Sequence, residues 1–253
     1  MRERTAPSSP DDESPLPDEL RAFCLGDRPR VIAVRARPGP DRFALTTAVL
    51  RSVTGPGVIV ATSDGAPAYR EFFGARDTGQ SPRWTVLEGG NAEGGIRATA
   101  RALALARELV VDPDREESLS ALWLPAHVTE AFGLLPADGS GLVVIDSWDG
   151  LLAEYLRDAP TASPPWPSPE ELEKILIRTL RQHAPATVVV IVDSSSRSRI
   201  ADLTDGVIEI SARGQYGVLS GSILVSRNDG HPTRREPIRF HLDGGVIRWH
   251  LNR

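Results

Sequence analysis

The sequence predicts an α/β protein with a mostly parallel sheet flanked by helices and an antiparallel extension at its carboxyl end. Three observations carry this expectation. Short apolar runs at Val31–Val34, Val58–Val60, Leu142–Ile145 and Thr187–Val192 alternate with stretches of helical periodicity. Runs this short and this uniformly apolar suit parallel strands buried on both faces. After about residue 205 the pattern changes to short strands of alternating polarity separated by Gly, Asn and Asp turns, as in an antiparallel meander.

Taken in order, residues 1–22 are rich in Pro, Ser and acid and are read as a disordered tail ahead of one domain, 23–253. Val31–Val34 is a strand, Arg37-Pro-Gly-Pro40 a turn, and the next stretch a helix in which Leu45, Ala48 and Val49 share a face. Val58–Val60 and Trp84–Leu87 read as strands, Ala66–Phe73 as a short helix and Ile96–Val110 as a long one with Ile96, Leu103, Ala106 and Val110 buried. Pro125 should split the helical stretch Leu119–Leu135 into two pieces. Ser168, Pro169 and Glu171 form a helix start of the capping-box type, ahead of the stripe Leu172, Ile175, Leu176, Thr179. Asp243-Gly-Gly245 is a hairpin turn between two of the terminal strands.

Composition narrows the function classes. A chain of 253 residues, 40% apolar and 25% charged, is ordinary for a globular protein. No apolar run approaches the length of a membrane span, and the first residues lack the apolar centre of a signal peptide, so a cytoplasmic protein is expected. The lone cysteine, Cys24, excludes an intramolecular disulfide and is read as a small core residue. None of the five histidines has metal-ligand spacing, so no metal site is expected. Trp84, Trp123 and Trp249 are read as core, and Trp166, among prolines, as a surface residue. A net charge of -5 argues against an extended nucleic-acid footprint. Positive charge is almost all arginine, and Lys174 is the only lysine.

The order of elements, together with the ending Ala201-Asp-Leu-Thr-Asp-Gly-Val-Ile-Glu-Ile210 and the later Gly245-Val-Ile247, resembles the KaiC-like branch of the RecA superfamily of P-loop ATPases. The resemblance spans roughly residues 28–250 and implies a RecA-like fold, side-by-side assembly and an ancestral ATP site. That site departs from the family pattern in several places. In a working G-x-x-x-x-G-K-[ST] loop, backbone N–H groups wrap the phosphates, the lysine neutralises them and the hydroxyl holds magnesium. Here the loop reads Ala36-Arg-Pro-Gly-Pro-Asp-Arg-Phe43. Pro38 and Gly39 survive, Pro40 removes an N–H, Asp41 sets a carboxylate towards the phosphate, Arg42 stands at the lysine position and Phe43 has no oxygen for a metal. The resemblance makes Asp146, at the end of its strand, the acid that positions magnesium through water. An alternative is that Asp146 or Ser147 caps the following helix. Where the family has paired glutamates, this chain offers only Asp64, in a turn-forming context.

The resemblance also points to the loop Asp193–Arg199 as a contact loop towards DNA or a neighbouring subunit, with Arg197 and Arg199 joined by Arg227, Arg234 and Arg235 from the terminal strands. Solvated arginines are the plainer reading. Three functions follow. The favoured one is a non-catalytic regulatory or scaffolding protein that acts through a protein partner or as a homo-oligomer, with no cofactor. The second is an atypical ATPase that binds ATP with Arg42 in place of the lysine, and the third a single-strand DNA-binding recombination accessory.

Overall fold

The computed structural model describes residues 17–24, 28–37, 46, 56–61, 65–74, 84–89, 124–138, 140–157, 168–196, 198–215, 218–227, 236–243 and 246–250. Their elements are α1 (Asp18–Cys24), β1 (Val31–Ala36), β2 (Gly57–Ala61), α2 (Ala66–Gly74), β3 (Trp84–Glu88), α3 (Ala126–Gly133), β4 (Leu142–Asp146), α4 (Trp148–Arg157), α5 (Pro169–His183), β5 (Thr187–Asp193), α6 (Ile200–Leu203), β6 (Gly206–Gln215), β7 (Val218–Arg227), β8 (Ile238–Asp243) and β9 (Val246–His250). Of the expected helical stretch that holds Leu45, Ala48 and Val49, Thr46 is described, helical and buried; the expected helix Ile96–Val110, Trp123 and Trp166 lie outside the described residues.

All nine strands join one sheet in the order β3-β2-β4-β5-β1-β6-β7-β8-β9. Strands β1 to β5 run parallel, β6 runs parallel to β1, and β7, β8 and β9 fold back as an antiparallel meander. This is the expected architecture, with one refinement: the first strand after residue 205 closes the parallel part before the direction alternates.

Alternation along each strand divides the core between the two faces. Ile32, Val34 and Ala36 of β1 join Leu20, Phe23 and Tyr69 on one side. Val31 and Ala33 join Val128, Trp148, Leu151, Leu172 and Leu176 on the other. Helices on both faces explain why β1, β2, β4 and β5 are apolar throughout. Beyond Val207, which is still buried on the second face, buried Ile208 and Ile210 of β6 alternate with exposed Glu209 and Ser211, and buried Ile238 and Phe240 of β8 flank exposed Arg239.

Several helix boundaries follow from single residues. Helix α5 begins with the expected capping box: the Ser168 side chain accepts from Glu171 N, and Glu171 reaches back to Ser168 N at 2.9 Å. Pro125 immediately precedes α3, and its carbonyl accepts from Val128 N and Thr129 N at 3.0 and 3.1 Å. A proline there loses nothing, because the N–H it lacks would have no partner inside the helix. The residues before 124, where a first piece was expected, lie outside the described set.

The expected tail boundary at residue 22 needs a correction. Helix α1 starts at Asp18, and Leu20, Phe23 and Cys24 are fully buried. The acid- and proline-rich composition conceals three apolar residues that the sheet covers. Phe23 lies over Gly206, where a Cβ would stand 2.4 Å from its ring and 2.7 Å from Ser226 O. Cys24 is core, as expected, and burial pushes its thiol up to about 12. Among the described residues, no helix is long and apolar enough to cross a membrane.

The packing of α1 makes a prediction. Gly206→Ala should force Phe23 out and cost about 1–3 kcal/mol by overpacking, whereas Phe23→Ala should cost about 3–5 kcal/mol by leaving a cavity. Urea denaturation of the full chain measures both. Wild-type stability in either variant would mean that α1 does not seal the sheet.

Candidate functional site

Parallel sheets bind ligands where the strands end at their carboxyl edge, and here that edge is formed by Ala61, Asp146, Asp193 and Ala36. Ala61 pairs with Asp146, and Ala36 with Asp193, in matching registers. Strand β5 alone separates the Asp146 strand from the one that leads into the altered phosphate loop. Pro38, Gly39, Asp41, Arg42 and Phe43, and Asp64, lie outside the described residues. What is described at this edge is the acid and its surroundings.

Asp146 is only 5% exposed. Its Oδ2 accepts the hydroxyl of Tyr69 at 2.5 Å, a short charge-assisted bond from a fully buried residue of α2. The helix cap is Ser147: its Oγ accepts from Gly150 N at 3.1 Å and its carbonyl from Leu151 N at 3.0 Å. Asp146 therefore faces the sheet edge and leaves the capping to its neighbour, across a cis peptide bond. The described residues contain no group of three His, Cys, Asp or Glu placed to hold a metal ion.

The loop after β5 is tied down by acids. Asp149 of α4 accepts from Asp193 N at 2.9 Å and from the Ser196 hydroxyl. Glu173 of α5 is 4% exposed and accepts from Trp148 Nε1 at 3.0 Å, from Arg199 N at 3.2 Å and from the Ser198 hydroxyl. Arg35 Nη2 donates to Ser198 O at 3.0 Å. Ser196 and Ser198 thus bond two carboxylates of the neighbouring helices, whereas the exposed Ser195 bonds Asp193 within the loop at 2.7 Å.

Of the expected contact residues, Arg199 has a side chain 66% exposed, 3.6 Å from Asp202. Arg197, Arg234 and Arg235 lie outside the described residues. Arg227 does not join the loop. It pairs with Gly206, which pairs with Ile32 at the amino end of β1, so the β6–β7 hairpin returns it to the opposite edge of the sheet.

Sequence reasoning missed four residues that organise this edge: Tyr69, Trp148, Asp149 and Glu173. Glu173 carried a legible signal, since it shares the helical spacing of buried Leu176, Ile177 and Leu180 and an acid on an apolar stripe needs donors. Tyr69 carried none, because its partner is 77 residues away.

His127 adds a titrating group. Its Nε2 is sealed from solvent without a hydrogen-bond partner, and a Cβ on Gly89, beside the end of β3, would stand 3.4 Å from it. Burial pushes this imidazole down from 6.5 to about 4, so it is neutral in the folded protein at neutral pH.

Two outcomes are expected. Between about 6.5 and 4 the unfolded chain binds the proton that folded His127 refuses, so stability rises with pH there and falls on acidification by up to about 1.4 kcal/mol per pH unit. Urea denaturation at pH 7 and pH 5 should show this slope in the wild type and a flatter one in His127→Gln; equal slopes would remove the histidine from the account. Glu173→Ala should cost about 2–4 kcal/mol, because three donors lose one acceptor in a buried setting, and should raise protease sensitivity at 193–199. An unchanged cleavage pattern would mean that the loop is held by something else.

No protein-family model and no curated protein matches the sequence. Solved structures do. Flagellar accessory protein FlaH from Methanocaldococcus jannaschii superposes with a TM-score of 0.51 at 10% identity, over 93% of this chain and 96% of that one. A KaiC-like protein from Pyrococcus horikoshii gives 0.49 at 11% identity, over 88% and 89%. Likeness at this identity concerns the fold and leaves chemistry to the residues. With its parallel core and its antiparallel closing strands, the chain has a RecA-like fold.

Proposed function

We propose that this chain is a non-catalytic RecA/KaiC-like protein that acts as a regulatory or scaffolding subunit through contacts with a protein partner or a second copy of itself, with weak or no nucleotide binding. The observation that carries this reading is the engagement of Asp146. At the position that the resemblance makes the magnesium-positioning acid, the carboxylate is buried and accepts a hydrogen bond from the Tyr69 hydroxyl at 2.5 Å. A metal there would compete with that bond for the carboxylate, and the loop that should help has Phe43 in place of the metal-binding hydroxyl.

The other losses act in the same direction. Phosphoryl transfer depends on a backbone cradle, a cation, a metal ligand and a positioned water at once. Arg42 supplies one of these at most, with a planar fork in place of the lysine's point charge. Asp41 beside it repels the phosphate. The net charge of -5 disfavours the DNA-binding reading.

The test is phosphate release by the wild type and by Asp41→Ala, Arg42→Ala and Arg42→Lys, alongside a nucleotide titration with and without magnesium. No magnesium-dependent turnover is expected in the wild type, and Arg42→Lys should not create it. Turnover in the wild type that Arg42→Ala abolishes in a folded protein would replace this reading with an atypical ATPase.

A further inference from the structure

A second concavity lies at the opposite, amino edge of the sheet. It encloses about 400 Å³ where β1 begins, α5 ends and α6 leads into β6, and its lining includes Arg28, Arg30, Arg181, Asp202, Thr204 and Asp205. Three arginines and two acids therefore contribute to one lining, and their pairing determines what the space can bind.

The carboxylates are committed to partners. Asp205 Oδ1 meets Arg181 Nη2 at 2.7 Å, and its Oδ2 accepts from Val31 N at 2.8 Å. Asp202 stands 3.6 Å from Arg199, which lies outside the lining. Arg181 also sits in the last turn of α5, where its charge answers the partial negative end of the helix. Two cations are left over. Neither Arg28 nor Arg30 has an acidic partner among the described residues, and Nε and Nη1 of Arg30 are sealed from solvent without an acceptor.

That arrangement is costly, because an arginine does not shed its proton and a buried unmet donor forfeits its hydration. Cys24, which feels the Arg30 charge, does not relieve it: burial pushes the thiol up to about 12, so it stays neutral. The Arg30 backbone is also pinned, since its carbonyl accepts from Val188 N at 2.8 Å.

We propose that this cavity binds a small phosphate-bearing molecule through Arg28 and Arg30. A phosphate group brings close to two negative charges and several acceptor oxygens, which matches two guanidinium forks. The space exceeds what a bare phosphate needs and is in the range of small-molecule sites, which leaves room for an organic part against Leu180, Ala184 and Pro29. Ionic guanidinium contacts draw the ligand in, and the Arg181–Asp205 pair gives the site a fixed wall.

Titration calorimetry of the full chain with inorganic phosphate, ribose 5-phosphate and succinate as probes tests this. Ribose 5-phosphate should bind most tightly and succinate at least about tenfold more weakly, a difference of about 1.4 kcal/mol. Arg28→Ala, at an exposed position, should weaken phosphate binding about tenfold without loss of fold, and Arg30→Gln should weaken it further. Arg42→Ala, at the other edge of the sheet, should leave it unchanged. Absence of binding by the wild type at millimolar probe would overturn the proposal, as would indifference to Arg28→Ala, loss on Arg42→Ala, or equal affinity for succinate.

Discussion

Strand β1 is bonded along both of its edges, to β5 on one side and to β6 on the other, and the rest of the structure depends on that double pairing. It joins the parallel half of the sheet to the antiparallel half and faces a helical layer on each side. The Asp205 clamp secures its start twice: the carboxylate accepts Val31 N, and Asp205 N donates to Val31 O at 2.8 Å. Since every backbone group of a buried strand needs a partner, a shift of β1 would break two ladders and the clamp together. Its two ends are therefore fixed points, one beside the altered phosphate loop and the other beside the arginine cavity.

The two sheet edges handle buried charge differently. At the carboxyl edge, acids predominate and accept from hydroxyl, indole and backbone donors: Tyr69 on Asp146, Ser196 on Asp149, and Trp148 with Ser198 on Glu173. Such groups are expensive to bury, and their hydrogen bonds offset that cost. At the amino edge, arginine predominates and is incompletely answered.

How much was legible in the sequence depended on the range of the interactions. The strands, the capping box at Ser168 and the meander after residue 205 are written in local periodicity, turn residues and capping chemistry, which act over a few residues. Asp146 at a strand end and Cys24 as core were legible for the same reason. Only the tertiary structure decided that α1 packs on Gly206, that Tyr69 closes on Asp146, that Glu173 gathers the 193–199 loop, and that Arg227 returns to the edge where Arg28 and Arg30 share a cavity. Those outcomes follow from strand order and register, which bring residues up to 174 positions apart within hydrogen-bond distance; no local pattern encodes that proximity.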